Sequence, residues 1–217
     1  MLRNFSKNDW IILSLALLSF LLSALAYPYM PPRIATHWNA YGQVDGYMSP
    51  FWGLFLLPLI NASMALLFLA IPHIDPRKSN IALFRKQYDR LVILVLVFML
   101  VVQLQVILWN LGVQISPNLL IPVGIGLLYF YIGVVFEHAR PNWFVGIRTP
   151  WTLSSDIVWE KTHRLGARLF KLAGIITIAS VLVQDYAVWI LLVTVLVIAL
   201  VLVVYSYLEF KKLPDAS

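Results

Sequence analysis

Long apolar runs alternate with short polar segments from one end of the chain to the other. A helix crossing about 30 Å of hydrocarbon needs about 20 mainly apolar residues at 1.5 Å per residue. Six such runs are predicted as spans: Trp10 to Tyr29, Phe51 to Pro72, Leu91 to Leu111, Leu119 to Phe136, Arg168 to Gln184 and Tyr186 to Phe210. The fifth has the shortest apolar stretch because Lys171 lies inside it, so Lys171 and Arg168 are expected to reach for the interface. Two polar segments carry helical periodicity of their own. Ile81, Phe84, Tyr88 and Leu91 form one stripe, with Ser79 and Asn80 as candidate N-caps. Val158, Thr162, Leu165, Leu169 and Leu172 form another, opposite Glu160, Arg164, Arg168 and Lys171 and preceded by the helix-starting "TLSSD". Gly166 is expected to bend this helix into the fifth span. The fold class read from the pattern is an all-α integral membrane protein, with six transmembrane helices and interfacial amphipathic helices on the cytoplasmic side.

Composition agrees with the pattern. Hydrophobic residues make up 61% of the chain and charged residues 12%, half the roughly 25% charged content of an ordinary soluble domain. Charge then orients the spans. With the N-terminus cytoplasmic, the inner segments hold every Lys and Arg except Arg33, a 15-to-1 division of the 16 basic residues that matches the positive-inside rule. Both termini are therefore expected in the cytoplasm of a multi-pass cell-membrane protein. The +6 net charge is explained by basic loops facing anionic membrane lipid, and direct nucleic-acid binding is not needed to account for it. The absence of cysteine excludes disulfides, thiolate catalysis and cysteine metal sites. No cleavable signal peptide is evident, since the first apolar run continues to Tyr29 without a small-residue cleavage pattern. Without a long linker or internal repeat, residues 1–217 are expected to form a single polytopic membrane domain.

Two loops carry candidate chemistry. The outer one, "MPPRIATHWNAYGQVDGYMSP", is shaped by prolines 31, 32 and 50, with tight turns expected at Gly42 and at Asp45-Gly46. His37, Asn39 and Asp45 could face a ligand, but one His and one carboxylate fall short of the three or four ligands zinc takes, and no metal or other cofactor is expected. The alternative is structural: Asn39 and Asp45 bond the turn backbone while Trp38, Tyr41 and Tyr47 anchor the loop at headgroup level. In the inner loop, "RPNWFVGIRTPWTLSSDIVWEKTHRLGARLF", Arg140-Pro141 ends the fourth span and Ser154 and Ser155 read as caps. His138, His163 and Glu160 are acid-base residue types, but no nucleophile–base–orienter set or H-E-x-x-H motif accompanies them, so no catalytic residues are assigned and the chain is not read as an enzyme.

Within the spans, Asn61, Gln103, Gln105 and Asn110 are read as interhelical hydrogen-bonding groups, and Gly126 and Gly133 as points of close helix approach. No Asp, Glu, Arg or His lies near the middle of a span, which argues against proton-coupled transport.

The two loops together resemble the SdpI family of bacterial membrane immunity proteins. "PPRIATHWNAYGQVDGYMSP" is similar to the small domain that precedes the SdpI region, and "NWFVGIRTPWTLSSDIVWEKTHRLG" is similar to the family's most distinctive motif. On this resemblance, residues 31–72 correspond to the small domain and 119–210 to the SdpI region. The matching positions are His37, Asn39, Gly42, Asp45 and Gly46 outside, on the side of a ligand or toxin. Inside they are Asn142, Gly146, Arg148, Thr149, Pro150, Trp151, Thr152, Trp159, Lys161, Thr162 and His163. The resemblance implies protection from a secreted antimicrobial peptide and, in the best-understood form of the family, sequestration of a cytoplasmic transcriptional repressor. A small-molecule or lipid transporter, and a membrane enzyme using the polar loops, are the alternatives. For the inner loop two readings stand: Arg148, Lys161 and Arg164 are offered to a cytoplasmic partner or anionic lipid, or Arg148 pairs with Glu137, Asp156 or a helix-end carbonyl to shape the loop.

Overall fold

The computed structural model describes residues 5–214. Helix α1 (Lys7–Ala26) opens with a capping box in which Ser6 Oγ accepts from Asp9 N and the Asp9 carboxylate accepts from Ser6 N. A β-hairpin follows, β1 (Ile34–Trp38) antiparallel to β2 (Val44–Met48). Then come α2 (Pro50–Ile74), the short α3 (Lys78–Leu83), α4 (Arg85–Asn110), α5 (Pro117–His138), the short α6 (Pro150–Ser154), α7 (Asp156–Ala179) and α8 (Ala187–Lys211). Prolines at the first positions of α2, α5 and α6 supply a preset φ where a backbone N–H would be unpaired anyway.

Among the described residues, five segments are long and apolar enough to cross a membrane: Lys7–Tyr29, Pro50–Ile74, Arg85–Asn110, Pro117–His138 and Asp156–Lys211. The last, at 56 residues, far exceeds the roughly 20 a crossing needs. It is folded on itself at a 3-10 segment, Ser180–Tyr186, where Val183 leaves helical geometry (φ −131°, ψ 61°). Lys161 near the start of α7 meets Glu209 near the end of α8, so the two helices run antiparallel. The chain is thus a multi-pass helical membrane protein with one β-hairpin set on it.

Several local expectations change. Asp45-Gly46 is not a turn: both residues lie in β2, and the reversal is made at Gly42 (φ +76°). Ser79 and Asn80 do not cap α3 but sit inside it; Asp75 shapes the approach instead, its Oδ1 accepting from Arg77 N. The stripe Ile81, Phe84 and Tyr88 is buried, in one core cluster with Ile12, Leu69, Val92, Val135 and Trp159, so it faces protein and not a leaflet. Gly166 does not bend α7, which runs unbroken from Asp156 to Ala179. A Cβ at Gly166 would stand 2.6 Å from Ile147 Cδ1 and press on Phe136 at 3.2 Å, so its small size serves close contact with the inner loop and α5.

Helices α5 and α7 make the most extensive pairing in the bundle. Gly126 and Gly133 on α5 face Gly174 and Ala167 on α7, and a Cβ at Gly133 would stand 2.6 Å from the Ala167 carbonyl oxygen. The expected close approach is therefore made, backbone against backbone. Gln103 makes the expected interhelical bonds, whereas Asn110 bonds the hairpin and not another helix. Gln103 Nε2 donates to Ser19 O (2.7 Å) and Ser23 Oγ (2.8 Å), tying α4 to α1, while Asn110 exchanges bonds with the Ala35 backbone and so fastens the hairpin to α4. Asn61 is different: both its amide atoms are buried without a partner among the described residues, and Gln105 Nε2 shares that condition.

Candidate functional sites at the two ends of the bundle

The outer-loop residues all converge on the hairpin. Asn39 Oδ1 accepts from Tyr41 N (2.9 Å) and Gln43 N (3.1 Å), and Asn39 N donates to Gln43 O, which closes the reversal. Gly42 takes the left-handed conformation there and lies against Ser116 and Asn118. His37 sits opposite Gly46 across the ladder, where any side chain would stand 2.8 Å from His37 Cβ. The absent side chain leaves the imidazole room to bond Asp45 Oδ1 through Nδ1. His37 and Asp45 are exposed, so this pair is the chemically accessible feature of the hairpin. Among the described residues no group of three or more His, Cys, Asp or Glu side chains is placed to hold a metal ion. Asn118 Nδ2 reaches both Ala40 O (2.9 Å) and Gln184 O (3.2 Å), joining the hairpin tip to the α7–α8 turn at this end.

At the opposite end the inner-loop residues build a compact knot around His163. Asn142 organises the loop from inside. Its Oδ1 accepts from Phe144 N and Val145 N, and its Nδ2 donates to Arg140 O and Val145 O. Gly146 (φ +130°) follows, packed directly on His163 and Trp159. His163 is 2% exposed; its Nε2 accepts from Ile147 N (3.0 Å) and its Nδ1 faces Trp159 O (2.8 Å). Those partners define a neutral ring with the proton on Nδ1, because an imidazolium could not accept the Ile147 bond. The ring stacks on Trp159 at 4.0 Å, and Trp159 Nε1 donates to Ala139 O, the C-cap of α5.

Thr149 and Thr152 form a capping box on α6, with Pro150 at its first position. Thr152 Oγ1 also donates to Ile147 O, while Thr149 Oγ1 bonds Ser206 Oγ of α8. Trp151 rests on Tyr207 of the same helix. Thr162 is fully buried and its Oγ1 has no partner among the described residues. Of the three basic groups, Lys161 pairs with buried Glu209 (2.7 Å), Arg164 pairs with Glu160 one turn earlier (2.6 Å), and Arg148 donates through Nη1 to Trp143 O (2.6 Å). Arg148 thus holds a loop carbonyl and is bonded to neither Glu137 nor Asp156. It remains exposed.

Comparison with known proteins agrees with this division. Residues 138–206, which contain the whole knot, match the SdpI/YfhL protein family. Residues 14–62, which contain the hairpin, match a domain of unknown function (DUF1648). The hairpin and the knot thus fall in two separately matched stretches, in the order of the sequence resemblance. Along its length it is 28% identical over 208 residues to the immunity protein SdpI of Bacillus subtilis (strain 168), covering 95% of this chain and 98% of that one. No solved structure matches.

The knot also leans on residues outside its own loop, in contacts the sequence did not indicate. Asp75 Oδ2 accepts from Trp143 N (2.9 Å), and Asn80 Nδ2 donates to Pro141 O (2.7 Å), so the α2–α3 connection clamps the knot from the other half of the chain. Asp75-Pro76 is a turn signal visible in sequence, but its distant partner is not. Arg85 bridges Asp9 and Asp89 beside it, holding α1 against α4. Glu209, a lone carboxylate closing an apolar run, receives both Lys161 and Lys212.

Proposed function

We propose that this chain is a membrane immunity protein that acts by binding, with the hairpin facing outward and the His163 knot facing the cytoplasm. The likeness to an immunity protein across nearly the whole of both chains carries the reading. The gathering of its two polar motifs at opposite ends of one helical bundle supports it. In this reading α7 and α8 are the fifth and sixth crossings, and both termini are cytoplasmic. The exposed His37–Asp45 pair and its hairpin meet the secreted killing peptide. The knot, with exposed Arg148, meets a cytoplasmic repressor; the planar guanidinium suits a carboxylate on that partner. At the inner end binding is favoured over catalysis because the buried groups that could move protons are committed to the fold, His163 to Ile147 N and Glu209 to two lysines.

Survival of sensitive cells that produce this chain and are challenged with candidate killing peptides is the direct test. His37→Ala and Asp45→Ala are expected to reduce survival and leave membrane recruitment of a candidate repressor unchanged; Arg148→Ala is expected to do the reverse. If the unaltered chain at full membrane level protects against none of the peptides, the immunity reading fails. Loss of both readouts in all three variants would overturn the division between the ends.

A further inference from the structure

Beside the knot, where α5 ends and α7 begins, lies a mainly polar cleft of about 370 Å³, a volume in the range of small-ligand sites. Glu137, His138 and Arg140 line it from the end of α5, and Glu160, Arg164 and Arg168 from α7. The three α7 residues recur every four positions and so form one stripe along the wall. Buried His163 closes the back of the cleft with a ring already bonded to Ile147 N, and Arg148, the group assigned above to a partner, is not in the lining.

Charge decides what the cleft can take. Both of its carboxylates are engaged, Glu137 by Lys171 (2.6 Å) and Glu160 by Arg164 (2.6 Å). Arg140 and Arg168 are different. Neither guanidinium has an ion-pair or hydrogen-bond partner among the described residues, and both residues are exposed, so a ligand can reach them. Two unopposed positive charges therefore share one cleft. They repel each other, and a bound anion offsets that repulsion. A carboxylate has two oxygens and one charge, enough for a single guanidinium fork. A phosphate monoester carries nearly two negative charges and three terminal oxygens, enough for both forks.

We propose that this cleft binds a phosphate monoester, held between Arg140 and Arg168. The site rests on the geometry of α5 and α7 and stands apart from the immunity reading. Because α5 and its candidate membrane crossing both end at His138, the phosphate has two sources, a soluble phosphorylated molecule or the lipid phosphatidic acid.

The full chain in non-ionic detergent can be treated with phenylglyoxal, which modifies free guanidinium groups, and the modified arginines mapped by mass spectrometry. Glycerol 3-phosphate compared with glycerol tests the soluble source; phosphatidic acid compared with diacylglycerol tests the lipid. A phosphate-bearing probe is expected to slow modification of Arg140 and Arg168 and to leave Arg90, exposed on α4 outside the cleft, unchanged. Protection by glycerol 3-phosphate assigns the site to a soluble molecule, and protection by phosphatidic acid alone assigns it to the lipid. In Arg140→Gln the probe concentration that half-protects Arg168 is expected to rise about tenfold, the effect of one lost charge-assisted hydrogen bond, and Arg168→Gln should do the same to Arg140. Both substitutions are at exposed positions without a side-chain partner, so the fold is kept. The assignment is overturned if neither phosphate probe protects, if Arg90 is protected equally, or if glycerol or diacylglycerol protects as well as its phosphorylated counterpart. Unchanged protection of each arginine when the other is replaced would overturn it too.

Discussion

Gly146 places the backbone of the inner loop against an imidazole in a conformation few residues tolerate, with φ at +130° and no room for a Cβ beside His163 Nε2. Gly146→Ala therefore meets two penalties, the left-handed φ and the overlap, and is expected to cost about 1–3 kcal/mol. The loss should appear as a lower thermal midpoint in detergent. His163→Phe keeps the ring stacked on Trp159 and removes the acceptor for Ile147 N and the donor to Trp159 O. A cost of about 1–3 kcal/mol is expected from the stranded backbone N–H. Arg148→Ala gives up one bond from an exposed side chain to a loop carbonyl and is expected to change stability by no more than about 0.5 kcal/mol. A large stability loss at Arg148 would show that the guanidinium builds the knot, and its assignment to a partner would fall.

Among the elements, the α5–α7 pair depends most on small residues. Gly133→Ile pushes a branched side chain into the Ala167 carbonyl and Lys171 backbone, so it is expected to destabilise the pair by about 1–3 kcal/mol or more. Leu127→Ile on the exposed side of the same helix is expected to stay within about 0.5 kcal/mol. Comparing the two by thermal unfolding in detergent separates packing from helix propensity, because Ile is introduced in both. A similar loss in both variants would mean that the glycine serves something other than close approach. Helix α7 also shows what an amphipathic pattern leaves open. Its less polar stripe is real, but neighbouring elements bury only part of it, Val158 and Thr162, while Leu172 at its far end stays exposed. Periodicity identifies a face that needs cover without saying what provides it.

For the whole molecule, the proposed orientation makes a plain expectation. The chain has no native cysteine, so Tyr41→Cys in the hairpin loop and Lys86→Cys at the start of α4, both exposed positions, can be labelled without background. Tyr41→Cys should react with an impermeant thiol reagent on intact cells, and Lys86→Cys only after permeabilisation. The reverse pattern would invert the membrane orientation and exchange the partners of the two ends. The distribution of charge supports the expected result: Arg33 is at the hairpin end, while Arg77, Arg85, Lys161 and Lys212 are at the other.

The sequence by itself determined the membrane class, most of the helices, the small-residue approach of α5 and the grouping of chemistry in two loops. Each of these rests on local information: run length, periodicity, residue size, or motif order. Even so, the β-hairpin escaped it, because "IATHW" and "VDGYM" are too short and polar to separate from a loop until Asn110 and Gly53 supply the docking surface. Only the tertiary structure decided which polar groups are spent and which remain. His163 became a neutral acceptor, Asp75 a clamp on Trp143, and Lys161 the partner of Glu209, across separations of 16, 68 and 48 residues. Gln105 was left with an unused donor beside a cavity while Gln103, two residues earlier, was fully engaged. Two residues rotate a helical side chain by about 200° at 3.6 residues per turn. What each amide meets is therefore set by the neighbours packed on opposite faces, which no local pattern contains.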